Sequence, residues 1–224
     1  MNLSRKFLCL GALLLCLPAW AEAPKAADVH DVAQRVDKYY NQLKSLRTDF
    51  TEIYRGGGIS RTESGVMYLK KPGRMRWDYE TPRKKVFLTD GKTAWFYVPG
   101  ERQARRTAVK NLDDFRSPLR YLLGHTKLGK EMKNLSLVSA GPNAEPGDVV
   151  LSGVPKGMED RVQLVQLEIA PDGSIVRISI EEVDGSLTEF RFQHPVKNVK
   201  VADASFRFVP PAGVEVMNAT ELQP

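Results

Sequence analysis

The search for chemistry begins with the residues able to perform it. His30, His125 and His194 lie far apart, and none has a metal-ligating partner three to five residues away. No serine sits in a G-x-S-x-G elbow, and there is neither an H-E-x-x-H helix nor a phosphate-cradling loop. Gly56-Gly57-Gly58 lacks the Lys-Ser/Thr that would follow such a loop and reads as a hairpin tip. Asp113-Asp114 and Glu181-Glu182 are adjacent pairs, and neighbours on a helix or strand point in different directions, so neither forms a carboxylate dyad. The expectation is a protein that is not an enzyme, with no catalytic residue, no metal and no cofactor.

The distinctive chemistry is apolar and lies between Gly65 and Val98. At the strand period of two, Met67 and Leu69 share a face with Lys71; Met75, Trp77 and Tyr79 share the next, followed by Val86 and Leu88. The last strand offers either Ala94, Phe96 and Val98 or Trp95 and Tyr97. A face of Met, Leu, Val and aromatics is either packed core or a surface that holds hydrocarbon, to which thioethers and broad rings adapt. Lys71 breaks the pattern. Its ammonium can meet a polar headgroup or carbonyl at a cavity mouth, or snorkel to water. Periodicity leaves these alternatives open.

Charge narrows the partners. Lys and Arg number 33 against 27 Asp and Glu, a net +6. Arg83, Lys84, Lys85, Arg102, Arg105, Arg106 and Lys110 crowd the middle of the chain, either as a solvated strand face or as a surface for an anionic protein or membrane. Nucleic acid is not expected, because the chain opens with an export signal. Arg5 and Lys6 precede the apolar run Phe7 to Leu17 and the small-x-small pattern Ala19-Trp20-Ala21. This reads as a secretory signal peptide, residues 1–21, cleaved after Ala21. The run is shorter than the roughly 20 apolar residues of a transmembrane helix. Cys9 and Cys16 both leave with it, and Leu15 before Cys16 makes a poor lipoprotein site. Losing Arg5 and Lys6 takes the charge from +6 to +4.

The remainder, 22–224, must position these residues and reads as one domain. Val29, Val32, Val36, Tyr39, Tyr40 and Leu43 recur at helical spacing within Asp28 to Leu46, with Asp28 as N-cap. Alternation then takes over, punctuated by Gly56-Gly57-Gly58, Pro72-Gly73, Asp90-Gly91, Pro99-Gly100, Asp172-Gly173 and Asp184-Gly185. A second helical island covers Leu112 to Leu123, and a short tail begins at Pro210-Pro211. The count is about ten strands in a meandering antiparallel sheet or barrel.

Several motifs together resemble a known family. Residues 65–79, Gly-Val-Met-Tyr-Leu-Lys-Lys-Pro-Gly-Arg-Met-Arg-Trp-Asp-Tyr, then Pro82, then Thr89-Asp90-Gly91-Lys92-Thr93-Ala94-Trp95-Phe96-Tyr97 are similar to the outer-membrane lipoprotein carrier family, LolA. Thr48-Asp49-Phe50-Thr51 resembles its F-T-Q strand, with Glu52 for Gln, and residues 203–214 resemble its closing D-x-x-x-F-x-F-x-P-P-x-G-V. The resemblance implies a mainly β, α+β fold, an unclosed antiparallel β-barrel covered by lid helices. It implies a monomeric periplasmic carrier whose partners are lipoproteins through their acyl chains, an inner-membrane lipoprotein-releasing ABC transporter and an outer-membrane acceptor. The expected acyl-binding residues are Met67, Leu69, Lys71, Met75, Trp77, Val86, Leu88 and Trp95. The family's usual Arg before the Pro is here Lys71, which keeps the charge without the bidentate fork. A lipid-sensing periplasmic module and the outer-membrane acceptor itself are the rival readings of the same architecture.

Overall fold

The computed structural model describes residues 28–112, 127–142, 144–219 and 222. The expected signal peptide, both cysteines and the predicted helix over Leu112 to Leu123 (its first residue excepted) lie outside the described residues.

Helix α1 (Val29–Gln42) starts where Asp28 accepts the backbone N–H groups of His30 and Asp31 at 2.8 and 3.3 Å. It buries Val32, Ala33, Val36, Tyr39 and Tyr40. The helix stops short of the predicted Leu46 because a remote segment claims the backbone. Asn198 Oδ1 accepts the Lys44 N–H at 2.9 Å, and the Ser45 hydroxyl donates to the Val199 carbonyl at 2.6 Å.

Twelve strands follow among the described residues: β1 (Ser45–Gly56), β2 (Ile59–Lys70), β3 (Arg74–Thr81), β4 (Lys85–Thr89), β5 (Thr93–Tyr97), β6 (Gln103–Ala108), β7 (Met132–Val138), β8 (Val149–Pro155), β9 (Val162–Ile169), β10 (Ile175–Glu182), β11 (Leu187–Lys197) and β12 (Glu215–Asn218). A short helix α2 (Leu128–Glu131) precedes β7. They form one unclosed sheet, β12-β6-β5-β4-β3-β2-β1-β11-β10-β9-β8-β7. Each neighbouring pair is antiparallel except β12 with β6, which is parallel. A twisted sheet this wide curls rather than staying flat, and α1 shares the main apolar core with one face, the inner one.

Two strands, β6 and β12, exceed the expected ten, and β2 begins earlier than its alternation from Val66 suggested. The first half of β2 is exposed from Ile59 to Thr62 and polar from Ser60 to Ser64, so it carries no apolar alternation. Its strand state comes from a two-residue turn at Gly57 and Gly58, both with positive φ, which pairs Gly56 with Ile59 and fixes the register through to Ser45 with Lys70. The tail beyond Pro210-Pro211 supplies β12, held to β6 by ladder bonds and by Arg106 Nε donating to Asn218 Oδ1 at 2.9 Å.

The segment between β11 and β12 straps the outer face. Lys70 Nζ donates to the Val201 carbonyl at 2.6 Å and pairs with Asp203, which Arg74 also reaches at 3.1 Å. Arg76 donates to the Ser205 carbonyl at 2.8 Å. The strap buries Phe206 completely and lays Phe208 against Trp95 and Tyr97, with ring centres 5.1 and 5.4 Å apart.

Candidate functional site

Ladder register decides which side chains share a face, because directly paired residues point the same way. Three rows cross the inner face. One runs Leu46, Leu69, Met75, Thr89 and Ala94; the next Thr48, Met67, Trp77, Phe87 and Phe96; the third Phe192, Phe50, Gly65, Tyr79 and Lys85. Met67, Leu69, Met75 and Trp77 therefore stand together as expected, all buried.

Val86, Leu88 and Trp95 do not join them. Leu88 pairs with Arg76 and Trp95, and Val86 with Asp78 and Tyr97, so all three lie on the outer face, under or beside the strap. The alternative reading of the last strand, Ala94 with Phe96, is the inner one. The inner member of β4 is Phe87. Its signal was weak because Val86-Phe87-Leu88 is an unbroken apolar run whose two faces are both covered.

Trp77, only 1% exposed, is the centre of an aromatic nest. Its ring meets Phe50 at 4.6 Å, Phe190 at 5.6 Å and Phe192 at 6.2 Å, all three edge to face. Its indole N–H has no hydrogen-bond partner among the described residues. Gly65 makes the nest possible. A Cβ there would stand 1.9 Å from the Asp78 carbonyl oxygen, so β2 and β3 approach as only glycine allows. Phe50 and Tyr79, its partners on either side, touch each other at 4.9 Å.

The two ends of this face differ. At one rim Lys71 Nζ donates to the Asn41 carbonyl, 2.7 Å away in the last turn of α1. The ammonium thus ties down the negative end of the helix, and burial lowers its pKa from the ordinary lysine value. At the other end the inner face is ionic. Glu52 and Glu63 pair across β1 and β2, and Lys85 follows Tyr79 on the adjoining strands. Lys85 Nζ donates to Glu63 at 2.7 Å and lies 4.3 Å from the Tyr79 ring centre; the Tyr79 hydroxyl donates to Glu52 at 2.7 Å. Arg61 adds contacts of 3.0 Å to Glu63 and 3.9 Å to Glu52. Burial pushes the Glu52 carboxyl above its usual value, although Tyr79 and Lys85 pull it down.

Lys85 accordingly leaves the basic surface that the sequence suggested: it is 8% exposed and salt-bridged. Arg105 and Arg106 also separate. Arg105 lies over the Phe96 ring on the inner face, and Arg106 over Trp95 on the outer. Strand alternation divides these cations between two faces.

The inner face is thus apolar and filled by its own buried side chains, and the polar groups at its ionic end, Glu52, Glu63, Tyr79 and Lys85, hold one another. In sequence the chain is similar to known proteins. The family model for the outer membrane lipoprotein carrier protein LolA matches residues 41–209. A curated relative from Alkalilimnicola ehrlichii, an outer-membrane lipoprotein carrier protein, is 30% identical over 98% of this chain and 97% of its own. One of the same description from Sodalis glossinidius is 29% identical over 92% and 93%. Among solved structures, a LolA superfamily protein from Nitrosomonas europaea overlaps 82% of this chain and 99% of its own at 12% identity and a TM-score of 0.45. With three quarters of its length matched by one family model, the chain belongs to the outer membrane lipoprotein carrier (LolA) family.

Proposed function

We propose that this chain ferries lipoproteins from the inner to the outer membrane, sheltering their acyl chains on the inner face of the sheet. The observation that carries the reading is the inner face itself, where three adjoining rows of mostly apolar side chains run from a lysine rim to an ionic end, with α1 packed into the same core. Met67, Leu69, Met75 and Trp77, joined by Phe87 and Phe96, form the hydrocarbon contact; Val86, Leu88 and Trp95 serve the outer packing instead. Burying each methylene contributes about 0.8 kcal/mol, so acyl chains alone would bind tightly. Release needs a competitor. The chain's own apolar cover supplies one, because cargo must displace α1 contacts, and Lys71 holds the end of α1 through Asn41.

In this reading residues 1–21 direct export and 22–224 act as one monomeric domain in the periplasm. Cargo arrives from an inner-membrane lipoprotein-releasing ABC transporter and leaves to an outer-membrane acceptor, by binding and release without covalent chemistry. The test is replacement of the native carrier in carrier-depleted cells, with native mass spectrometry of the recovered protein. Restored lipoprotein sorting and bound triacylated cargo are expected. Failure of both would sink the reading, and lipid binding without sorting would favour a lipid-sensing module.

A further inference from the structure

The ionic end of the inner face has no part in sheltering hydrocarbon, yet it is built and buried. Glu52 is 4% exposed, Glu63 5% and Lys85 8%, and their partners come from four adjoining strands. We propose that Glu52, Glu63, Lys85, Tyr79 and Arg61 form the floor of the acyl groove and set the length of hydrocarbon it accepts. The proposal rests on the carrier reading above and adds a specificity device to it.

Its geometry follows from the register. On β1 the inner positions from Leu46 to Glu52 cover six residues, as do those on β2 from Leu69 to Glu63. At roughly 3.4 Å per residue each path is about 20 Å long. One leaflet of a bilayer, half of its hydrocarbon core, is about 15 Å thick. The last apolar inner positions, Phe50 and Gly65, lie four residues or about 14 Å along, so a chain seated there in place of the packed side chains spans about one leaflet's length before it meets charge. A methyl end pushing further would have to part Lys85 from Glu63 and Tyr79 from Glu52, each held at 2.7 Å away from water. Separating buried ionic partners costs far more than one additional methylene contributes.

Stability alone does not call for such a cluster. Buried ion pairs are commonly replaced by packed apolar side chains with neutral or favourable effect. Leucines here would extend the groove to the Gly57-Gly58 hairpin; the charges stop it short.

The test titrates the full mature chain with fluorescent peptides carrying one N-acyl chain, from lauroyl to arachidoyl, below their micelle concentrations. In the unaltered protein, affinity is expected to rise about fourfold per methylene and then level off at the floor. The paired replacement Glu63→Leu with Lys85→Met removes one charge of each sign and leaves Glu52 facing Arg61; its affinities should keep rising past that length. The exchanged pair Glu63→Lys with Lys85→Glu keeps a polar floor and should level off with the unaltered chain. Unaltered protein whose affinity rises through the whole series overturns the floor, and this needs no variant to fold. A folded apolar pair that levels off at the same length overturns it too. Protein that binds none of the acyl peptides fails earlier, at the carrier reading itself.

Discussion

Replacing Lys71 by leucine probes how the cover is held. The ammonium makes one charge-assisted hydrogen bond of 2.7 Å to the Asn41 carbonyl at the end of α1. Such bonds contribute about 1.5–3 kcal/mol, and a cation at a helix C-terminus a further ~0.3–1 kcal/mol. Burial works against both, because it disfavours the charged lysine. The lower end, about 1.5 kcal/mol, is the fitting magnitude for this half-exposed group, equivalent to roughly a tenfold shift between covered and uncovered states. Because cargo competes with the cover, Lys71→Leu should bind an acylated peptide up to about tenfold more tightly and deliver it correspondingly more slowly. Lys71→Arg keeps the charge and should restore most of the behaviour. Calorimetric titration gives the affinity, and delivery to acceptor-containing vesicles gives the rate. Equal affinities for Lys71→Leu and the unaltered chain, with delivery unchanged, would refute the tether.

Other predictions concern the frame. Gly65→Ala forces a Cβ to 1.9 Å from the Asp78 carbonyl, so β2 and β3 must part by over 1 Å; a loss of about 3 kcal/mol or more is expected in urea denaturation, and undiminished stability would contradict the close approach. Phe206→Ala empties a fully buried site under the strap and should cost about 3–5 kcal/mol, lowering Tm by roughly 6–20 °C, while acyl-peptide affinity, read on the other face, stays unchanged below the new Tm. Glu52 has a raised pKa in the folded chain. Its favourable contribution is therefore complete below the ordinary value of 4.5 and is lost as pH rises through the raised one. Glu52→Gln keeps an acceptor for Tyr79 and should gain stability relative to the unaltered chain from acid to neutral pH; parallel stability–pH curves would count against this.

The sequence determined much of this protein because its signals were local. The α1 periodicity and its Asp28 cap, the Gly-containing turns and the alternation of Met67 with Leu69 and of Met75 with Trp77 each depend on neighbours in the chain, and each holds in the structure. The motifs from Gly65 to Tyr97 likewise pointed to the family through residues close in sequence. Parity in β4 and β5 was settled elsewhere. Phe87 rather than Val86 and Leu88 faces inward because β4 pairs with β3 through Trp77, and the outer face, where Val86 and Leu88 stand beside Asp78 and Arg76, is covered where Phe206 and Phe208 return across it. Lys85 looked like a surface cation beside Arg83 and Lys84, and became a buried one because Glu63, on another strand, meets it there. Lys71 was legible as an exception on an apolar face, but its acceptor, Asn41, lies 30 residues earlier at the end of a helix. Chain-local chemistry wrote the elements and the apolar character of the site; long-range pairing chose which side of each strand that site would use.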